Sequence, residues 1–153
     1  MDIDARLEEL GIRLPAPAKA VANYLPFVEV DGLVSISGQL PLADGDLVTG
    51  RLGDDLDLDA GIAAARRCGI NIIAQIRAAV DGDWERLERI VRLGGFVNST
   101  NDFTDQPKVV NGASDLMVEV FGERGRHSRS AVGVNVLPLG AAVEIEALVR
   151  IRS

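Results

Sequence analysis

Two segments near the C-terminus carry an apolar residue at every second position, a period that favours β-strands over helices. The first, residues 130–136, has valine at each alternate position after Ser130. The second, residues 143–151, has these alternate apolar residues: Val143, Ile145, Ala147, Val149 and Ile151. Pro138 and Gly140 lie between the segments, so we predict two strands joined as a hairpin.

Two charged residues, Arg129 and Glu146, fall opposite the apolar positions of these strands. If helices cover the apolar face, both charges project from the other face. A charge on a face that becomes covered needs a partner or a ligand. One interpretation is an ion pair between Arg129 and Glu144 or Glu146 across the hairpin. The other is a ligand site, and the pattern leaves both interpretations open.

Periodicity and turn signals predict the remaining elements. A short helix over 4–11 is followed by a proline-containing extended stretch as far as Tyr24. Next come strands over 27–30 and 33–37 around the Asp31-Gly32 turn, a helix over 59–80, a strand over 90–98 and a helix over 107–121. The resulting ββαβαββ order predicts an α+β fold in which two helices pack on one face of a mixed sheet.

The other face of this sheet has no predicted cover. Ala131, Gly133 and Leu148 are expected there, and their small or apolar side chains favour packing against another protein surface. A closed homo-oligomer would supply that surface. Glu144 and Arg150 favour a solvated face instead, and the pattern does not decide between the two.

Composition limits the function classes. The 153 residues, 47% of them hydrophobic, suffice for a single domain over 1–153, with 1–22 as an N-terminal extension. A net charge of −7 makes nucleic acid a poor partner. Cys68 is the one cysteine and His127 the one histidine, too few for a Cys/His zinc site, and we expect no metal. An acidic N-terminus and the lack of a long apolar run predict a soluble cytoplasmic protein that does not bind membranes.

A set of short motifs, in order along the chain, resembles the RidA (YjgF) family of enamine and imine deaminases. The motifs are Ser37-Gly38-Gln39-Leu40-Pro41, Phe96-Val97 with Asp102-Phe103, Val110-Asn111, Ser128-Arg129-Ser130, Leu137-Pro138 and Val143-Glu144-Ile145-Glu146-Ala147. They run from about Tyr24 to Ile151, most of the chain. The resemblance implies a chorismate-mutase-like α+β fold. It also implies a homotrimer with sheets inside and helices outside, and with ligand clefts between adjacent subunits.

The resemblance also implies roles for individual residues. Arg129 matches the arginine that binds the carboxylate of a small 2-imino or 2-enamino acid, and Glu146 matches the glutamate that orients or activates water. Four further residues match pocket positions: Tyr24 (from the neighbouring subunit), Ser37, Gly38 and Asn111. The implied reaction hydrolyses substrates of the 2-aminoacrylate and 2-iminobutanoate type to a 2-oxo acid and ammonia, without a cofactor.

The sequence departs from the family pattern around the arginine. It has His127-Ser128 before Arg129 and Ala131 after it, where active relatives usually carry Pro-Ala and Cys. We therefore list Ala131 among the substrate-binding candidates and expect a pocket that differs from theirs. His127 is either a proton shuttle or an exposed loop residue. An enzyme is the preferred interpretation, and a non-catalytic trimeric binder or sensor of small carboxylates is the alternative.

Overall fold

The computed structural model describes residues 1–17, 19 and 22–153. The helices are α1 (Ile3–Glu9), α2 (Leu58–Ala79) and α3 (Gln106–Phe121). The strands are β1 (Phe27–Val30), β2 (Leu33–Gln39), β3 (Leu42–Ala43), β4 (Asp46–Leu47), β5 (Leu87–Asn98), β6 (Ser128–Val134) and β7 (Val143–Ile151). Short 3-10 turns lie at Trp84–Arg86, Gly122–Gly125 and Pro138–Gly140. Positions 18, 20 and 21 of the predicted N-terminal extension lie outside the described residues.

Local signals in the sequence account for most of these elements. Asp31 and Gly32 both have positive φ, 52° and 78°, which confirms the two-residue turn between β1 and β2. Asp57, whose carboxylate accepts from the Ala60 N–H at 2.8 Å, caps α2 two residues before the predicted Asp59. Residues 41–58, for which the sequence predicted no helix or strand, contain β3 and β4.

Five strands form one sheet in the order β1-β2-β7-β5-β6. β5 and β6 are parallel and the other neighbouring pairs are antiparallel, which confirms the mixed sheet. The predicted hairpin between β6 and β7 is wrong, because β5 lies between them and pairs with both. Residues 135–142 cross the end of β5, where the Asn98 N–H donates to the Ala142 carbonyl at 2.9 Å. Turn residues signal a reversal, but they do not say how many strands the reversal skips.

The strand register determines which side chains share a face. Leu93 pairs with Arg129 on one side and Ala147 on the other, and it lies in the core beneath the helices. The next residue, Gly94, pairs with Glu146 and faces away from the helices. Arg129 and Glu146 therefore project from opposite faces of the sheet. The prediction that they share a face is wrong.

In β6 the helix-covered face carries Ala131 and Gly133, not the valines. A Cβ added at Gly133 would lie 2.6 Å from Ser99 Oγ and 2.8 Å from Gln106 Nε2, so the start of α3 requires a very small residue there. Val132, on the opposite face, is 45% exposed. Assigning Ala131 and Gly133 to the uncovered face was wrong, because a period of two groups residues by face without saying which face is covered.

The sheet face opposite the helices is uncovered and partly apolar. Val28 pairs with Ser35, which pairs with Leu148, and all three point to this face. Val28 is 48% exposed, Val30 is 62% exposed and Leu33 is 40% exposed. Exposed apolar side chains of this kind commonly mark a protein interface, and Val132 is exposed on the same face at the opposite edge strand.

The helices pack closely on the other face. Gly112 of α3 lies against the Ile62 carbonyl of α2, and a Cβ at this position would overlap that carbonyl group. Cys68 of α2 is fully buried and packs in the core. Burial, and then the Glu144 charge, raise the pKa of its thiol. Among the residues described, no helix has both the length and the apolar character needed to cross a bilayer.

α1 packs against the end of the helical layer. Its Ile3 and Leu7 belong to the core, and Arg6 Nε donates to the Glu119 carbonyl at 2.8 Å. The first helix of the predicted extension is therefore an integral part of the domain.

Candidate functional site

Arg129 is anchored by three neutral acceptors where the edge strand β6 meets α3. Its Nη1 donates to Asn111 Oδ1 at 2.8 Å and to Ser114 Oγ at 3.0 Å, and its Nη2 donates to the Pro107 carbonyl at 3.0 Å. No ion pair within the described ranges includes Arg129. The interpretation as an ion pair across the hairpin is thus wrong. The guanidinium is held in place with its charge uncompensated.

Ser114 connects Arg129 to His127. Its hydroxyl lies 2.9 Å from His127 Nε2, and His127 Nδ1 lies 2.7 Å from the Gly125 carbonyl oxygen. A carbonyl oxygen only accepts, so Nδ1 carries the proton of the neutral ring and Nε2 accepts from Ser114. The Ser114 oxygen accepts from Arg129 at the same time. One continuous hydrogen-bonded chain therefore runs from Arg129 to Gly125.

Burial lowers the pKa of His127 below its ordinary value. The Gly125 hydrogen bond acts in the opposite direction, and the Arg129 charge lowers the pKa further. Because the ring is neutral at physiological pH, its Nε2 has a lone pair available for a proton. The interpretation of His127 as an exposed loop residue is wrong, since the ring is partly buried and bonded through both nitrogens.

An open cavity of about 400 Å³ adjoins this chain of hydrogen bonds. Its lining consists of Asn111, Ser114, Asp115, Val118, Arg126, His127 and Arg129. The lining contains two arginines, Arg126 and Arg129, and one carboxylate, Asp115, so its net positive charge favours an anionic ligand. Asn111, predicted from the sequence to bind substrate, both orients Arg129 and lines the cavity.

Glu144 and Glu146 form a second polar feature on the opposite face of the sheet. A glycine lies beneath each carboxylate. A Cβ added at Gly38 would overlap the Glu144 carboxylate, and a Cβ added at Gly94 would lie 2.7 Å from Glu146 Oε1. Burial, and then the neighbouring Glu146 charge, raise the pKa of Glu144. The Glu144 carboxyl therefore holds a proton more readily than an exposed glutamate does.

Tyr24, Ser37 and Gly38 lie together in a different cavity, of about 340 Å³. The Pro15–Pro17 segment and α2 complete its walls, with Arg67 and Asn71 of α2 donating to the Leu42 carbonyl at 2.8 and 3.1 Å. Ser37 Oγ donates to the Leu25 carbonyl at 2.6 Å, which fixes the chain beside Tyr24. Among the described residues, this cavity and the Arg129 cavity have no lining residue in common.

A single chain thus divides the predicted site residues into three groups. Arg129 and Asn111 line one cavity; Tyr24, Ser37 and Gly38 line another; and Glu146 lies with Glu144 on the open face. Ala131 is partly buried against the core beside Arg129. The sequence analysis missed Ser114, although its position three residues after Asn111 puts both on one helix face, a spacing that could have identified it.

No cluster of three or more His, Cys, Asp or Glu among the described residues could hold a metal ion.

Comparisons with known proteins place the chain among relatives along nearly its full length. Residues 4–149 match a family described as "YjgF/chorismate mutase-like, putative endoribonuclease". Protein TCP17 of Trypanosoma cruzi is 49% identical over 153 residues, covering 99% of this chain and 95% of that protein. The crystal structure of an Agrobacterium tumefaciens protein of unknown function has a TM-score of 0.92 and 46% identity, covering 98% of this chain and 92% of that one.

A more distant relative has a named activity. The 2-iminobutanoate/2-iminopropanoate deaminase of Dermatophagoides farinae is 28% identical over 140 residues, covering 90% of this chain and 93% of that protein.

Proposed function

This chain belongs to the YjgF/chorismate mutase-like family, as its motifs indicated, and on that premise we propose that it is a hydrolytic deaminase of small 2-imino and 2-enamino acids. The products are a 2-oxo acid and ammonia. The named activity of the Dermatophagoides farinae relative supports this reaction class.

The observation that carries the proposal is the state of Arg129. Its hydrogen bonds to Asn111, Ser114 and Pro107 use three of the five guanidinium N–H groups. Two donors and a full positive charge remain for a ligand at the cavity. A planar guanidinium pairs with a carboxylate through two parallel hydrogen bonds, which a lysine cannot reproduce. A small carboxylate is the ligand that this arrangement suits best.

We assign the complete site to a cleft between copies of the chain. In one protomer Arg129 and Glu146 are on opposite faces, and Tyr24 lines a separate cavity. A homotrimer assembled through the apolar open face would allow Tyr24 and Glu146 of other copies to approach the Arg129 cavity. The exposed Val28, Val30 and Leu33 support burial of that face.

The proposed chemistry is attack of water on the C=N carbon of a bound imine. Arg129 holds the substrate carboxylate and so orients the carbon for attack. Glu146 orients the water in this scheme, and the raised pKa of its neighbour Glu144 supports a proton-exchanging surface there.

The proposal is tested by measuring ammonia release from freshly generated 2-aminoacrylate. Wild-type protein should accelerate release above the spontaneous rate, and Arg129→Ala should return the rate to that of buffer. Arg129→Lys keeps the charge and removes the planar fork, so it should retain only a small fraction of the activity. A wild-type rate equal to that of buffer would refute the enzyme.

A non-catalytic carboxylate binder is the second candidate, favoured by the separation of Arg129 from Glu146 within one chain. Such a protein would bind 2-oxobutyrate or benzoate in calorimetry, and Arg129→Ala would abolish this binding. It would release no ammonia from 2-aminoacrylate. The same two assays therefore distinguish the two functions.

A further inference from the structure

We infer that Ser114 and His127 form a proton relay for the reaction at the Arg129 cavity. The inference rests on the proposed deaminase function and adds to it an acid–base group that comes from the same protomer as Arg129. Residues of two elements build the relay, Ser114 on α3 and His127 just before β6.

The geometry matches that of a base with a fixed orientation. His127 Nδ1–H donates to the Gly125 carbonyl at 2.7 Å, which directs the Nε2 lone pair toward the Ser114 hydroxyl at 2.9 Å. In Ser-His catalytic sites a hydrogen bond to Nδ1–H has the same function, since it fixes both the tautomer and the ring orientation. Here a backbone carbonyl supplies that bond, so mutation of a side chain cannot remove it directly.

Arg129 acts on the relay from the other end. Its Nη1 donates to Ser114 Oγ at 3.0 Å, so the hydroxyl proton is free to point only toward His127 or the cavity. A positive donor on the hydroxyl oxygen also makes that proton easier to transfer. Ser114 and His127 both line the cavity beside Arg129, where a bound carboxylate would place the reacting carbon nearby.

Several charged groups surround His127. Arg129 of β6 and Asp115 of α3 line the same cavity, as does Arg126, which pairs with Glu123 at 3.6 Å. Arg89 of β5 donates to the Arg126 carbonyl at 2.8 Å. Partial burial first, and then the Arg129 charge, lower the pKa of His127, against the opposite effect of the Gly125 hydrogen bond. The ring is consequently able to accept a proton.

Of the acid–base groups that the structure describes in one chain, this pair lies best placed for the task. Glu146, the carboxylate that the sequence suggested, projects from the other face of the sheet. In the described part of the chain Asp115 lines the cavity but forms no hydrogen bond or ion pair with Arg129 or Ser114. The Ser114–His127 pair is the proton acceptor that is bonded to the arginine itself.

The relay balances the reaction in two steps. In the first, a water oxygen bonds to the C=N carbon and the π pair moves to nitrogen. One water proton passes through Ser114 to His127 Nε2 and then to that nitrogen. In the second, the hydroxyl proton passes to His127, the C=O bond forms and the C–N bond breaks. The leaving nitrogen takes the proton and departs as ammonia, so the relay returns to its neutral state.

Kinetics of three variants test the relay. His127→Gln and Ser114→Ala should each lower kcat by about 100-fold, the lower end of the usual contribution of acid–base catalysis. Ser114→Thr keeps the hydroxyl and should lose less activity than Ser114→Ala. The affinity for 2-oxobutyrate, which reports on Arg129, should change only a few-fold in His127→Gln. Added imidazole should restore part of the activity of His127→Gly.

The pH profile gives a readout that a purely structural role would not change. Wild-type kcat/KM should fall as the pH decreases through the lowered pKa of His127, because a protonated ring cannot accept a proton. This acid limb should be absent in His127→Gln. His127 is the one histidine of the chain, so its ring signals are assigned directly in NMR spectra, and at neutral pH they should show Nδ1 protonated and Nε2 unprotonated.

The outcomes separate the two proposals. An active wild type with unchanged kcat and acid limb in His127→Gln would overturn the relay and leave the deaminase intact. An Nε2-protonated neutral ring in the NMR spectra would overturn the relay independently of any activity. A wild type without turnover would overturn the deaminase, and with it the catalytic use of Ser114 and His127.

Discussion

Substituting alanine at Gly112 should destabilise the protein and weaken the Arg129 site together. Gly112 lies where α3 contacts the backbone of α2. A Cβ added at this position would overlap the Ile62 carbonyl oxygen, and it would lie 3.0 Å from the Ile62 carbonyl carbon and 3.1 Å from the Arg66 backbone nitrogen. All three are backbone atoms, so no side chain can move aside and the two helices must shift apart.

The expected magnitude is a difference between two effects. Alanine gains about 1 kcal/mol of helix propensity over glycine. Overpacking costs roughly 1–3 kcal/mol, and more where the obstacle is backbone. We expect a net loss of about 1–2 kcal/mol of unfolding free energy, or roughly 2–8 °C in Tm at this chain length.

The assay is urea unfolding followed by circular dichroism, at one protein concentration for all variants. Gly61→Ala is the matched control, because its Cβ would meet a movable group, Leu52 Cδ1, at 2.8 Å. Gly112→Ala should be the less stable of the two. Asn111 and Ser114 lie on the displaced helix, so the Gly112→Ala variant should also bind 2-oxobutyrate more weakly than wild type. Gly112→Ala as stable as Gly61→Ala would refute the account of helix contact.

Three further predictions address other parts of the molecule. The Cys68 thiol should resist thiol reagents in the folded protein and react on unfolding. Burial raises the pKa of the thiol and keeps the reagent from reaching it, so rapid labelling of native protein would contradict this prediction. Glu144→Gln should stabilise the protein more at pH 8 than at pH 4. The folded-state pKa of Glu144 is raised, so the wild-type protein loses stability as the pH rises through that pKa, whereas the glutamine variant does not. Urea unfolding at both pH values measures the difference, and equal effects would count against it. Val132→Asp should shift the proposed homotrimer toward monomer in light scattering, because it puts a charge on the uncovered sheet face. An unchanged mass would show that this face is not an interface.

The sequence identified most elements whose chemistry is local, although it missed the short β3–β4 pair. The Asp31-Gly32 turn follows from the preference of positive-φ positions for these residue types. The buried stripe of α2 and the alternation of β7 follow from helix and strand periods. These patterns, with the motifs around Gly38, Arg129 and Glu146, were sufficient for the fold class and the family.

Long-range arrangement could not be derived in the same way. Nothing near Pro138 indicates that β5 inserts between β6 and β7, because strand order depends on pairing between distant segments. The covered face of β6 depends on the approach of α3, which the small Gly133 permits. The contact of His127 with Ser114 joins residues on two elements and emerges only when the chain folds.

A crystal structure with 2-oxobutyrate bound tests the central claim most directly. The account predicts the ligand carboxylate within hydrogen-bonding distance of the two unused N–H donors of Arg129, with Asn111 and Ser114 still holding the guanidinium. A ligand bound elsewhere, or an Arg129 neutralised by a carboxylate of a neighbouring copy, would contradict it.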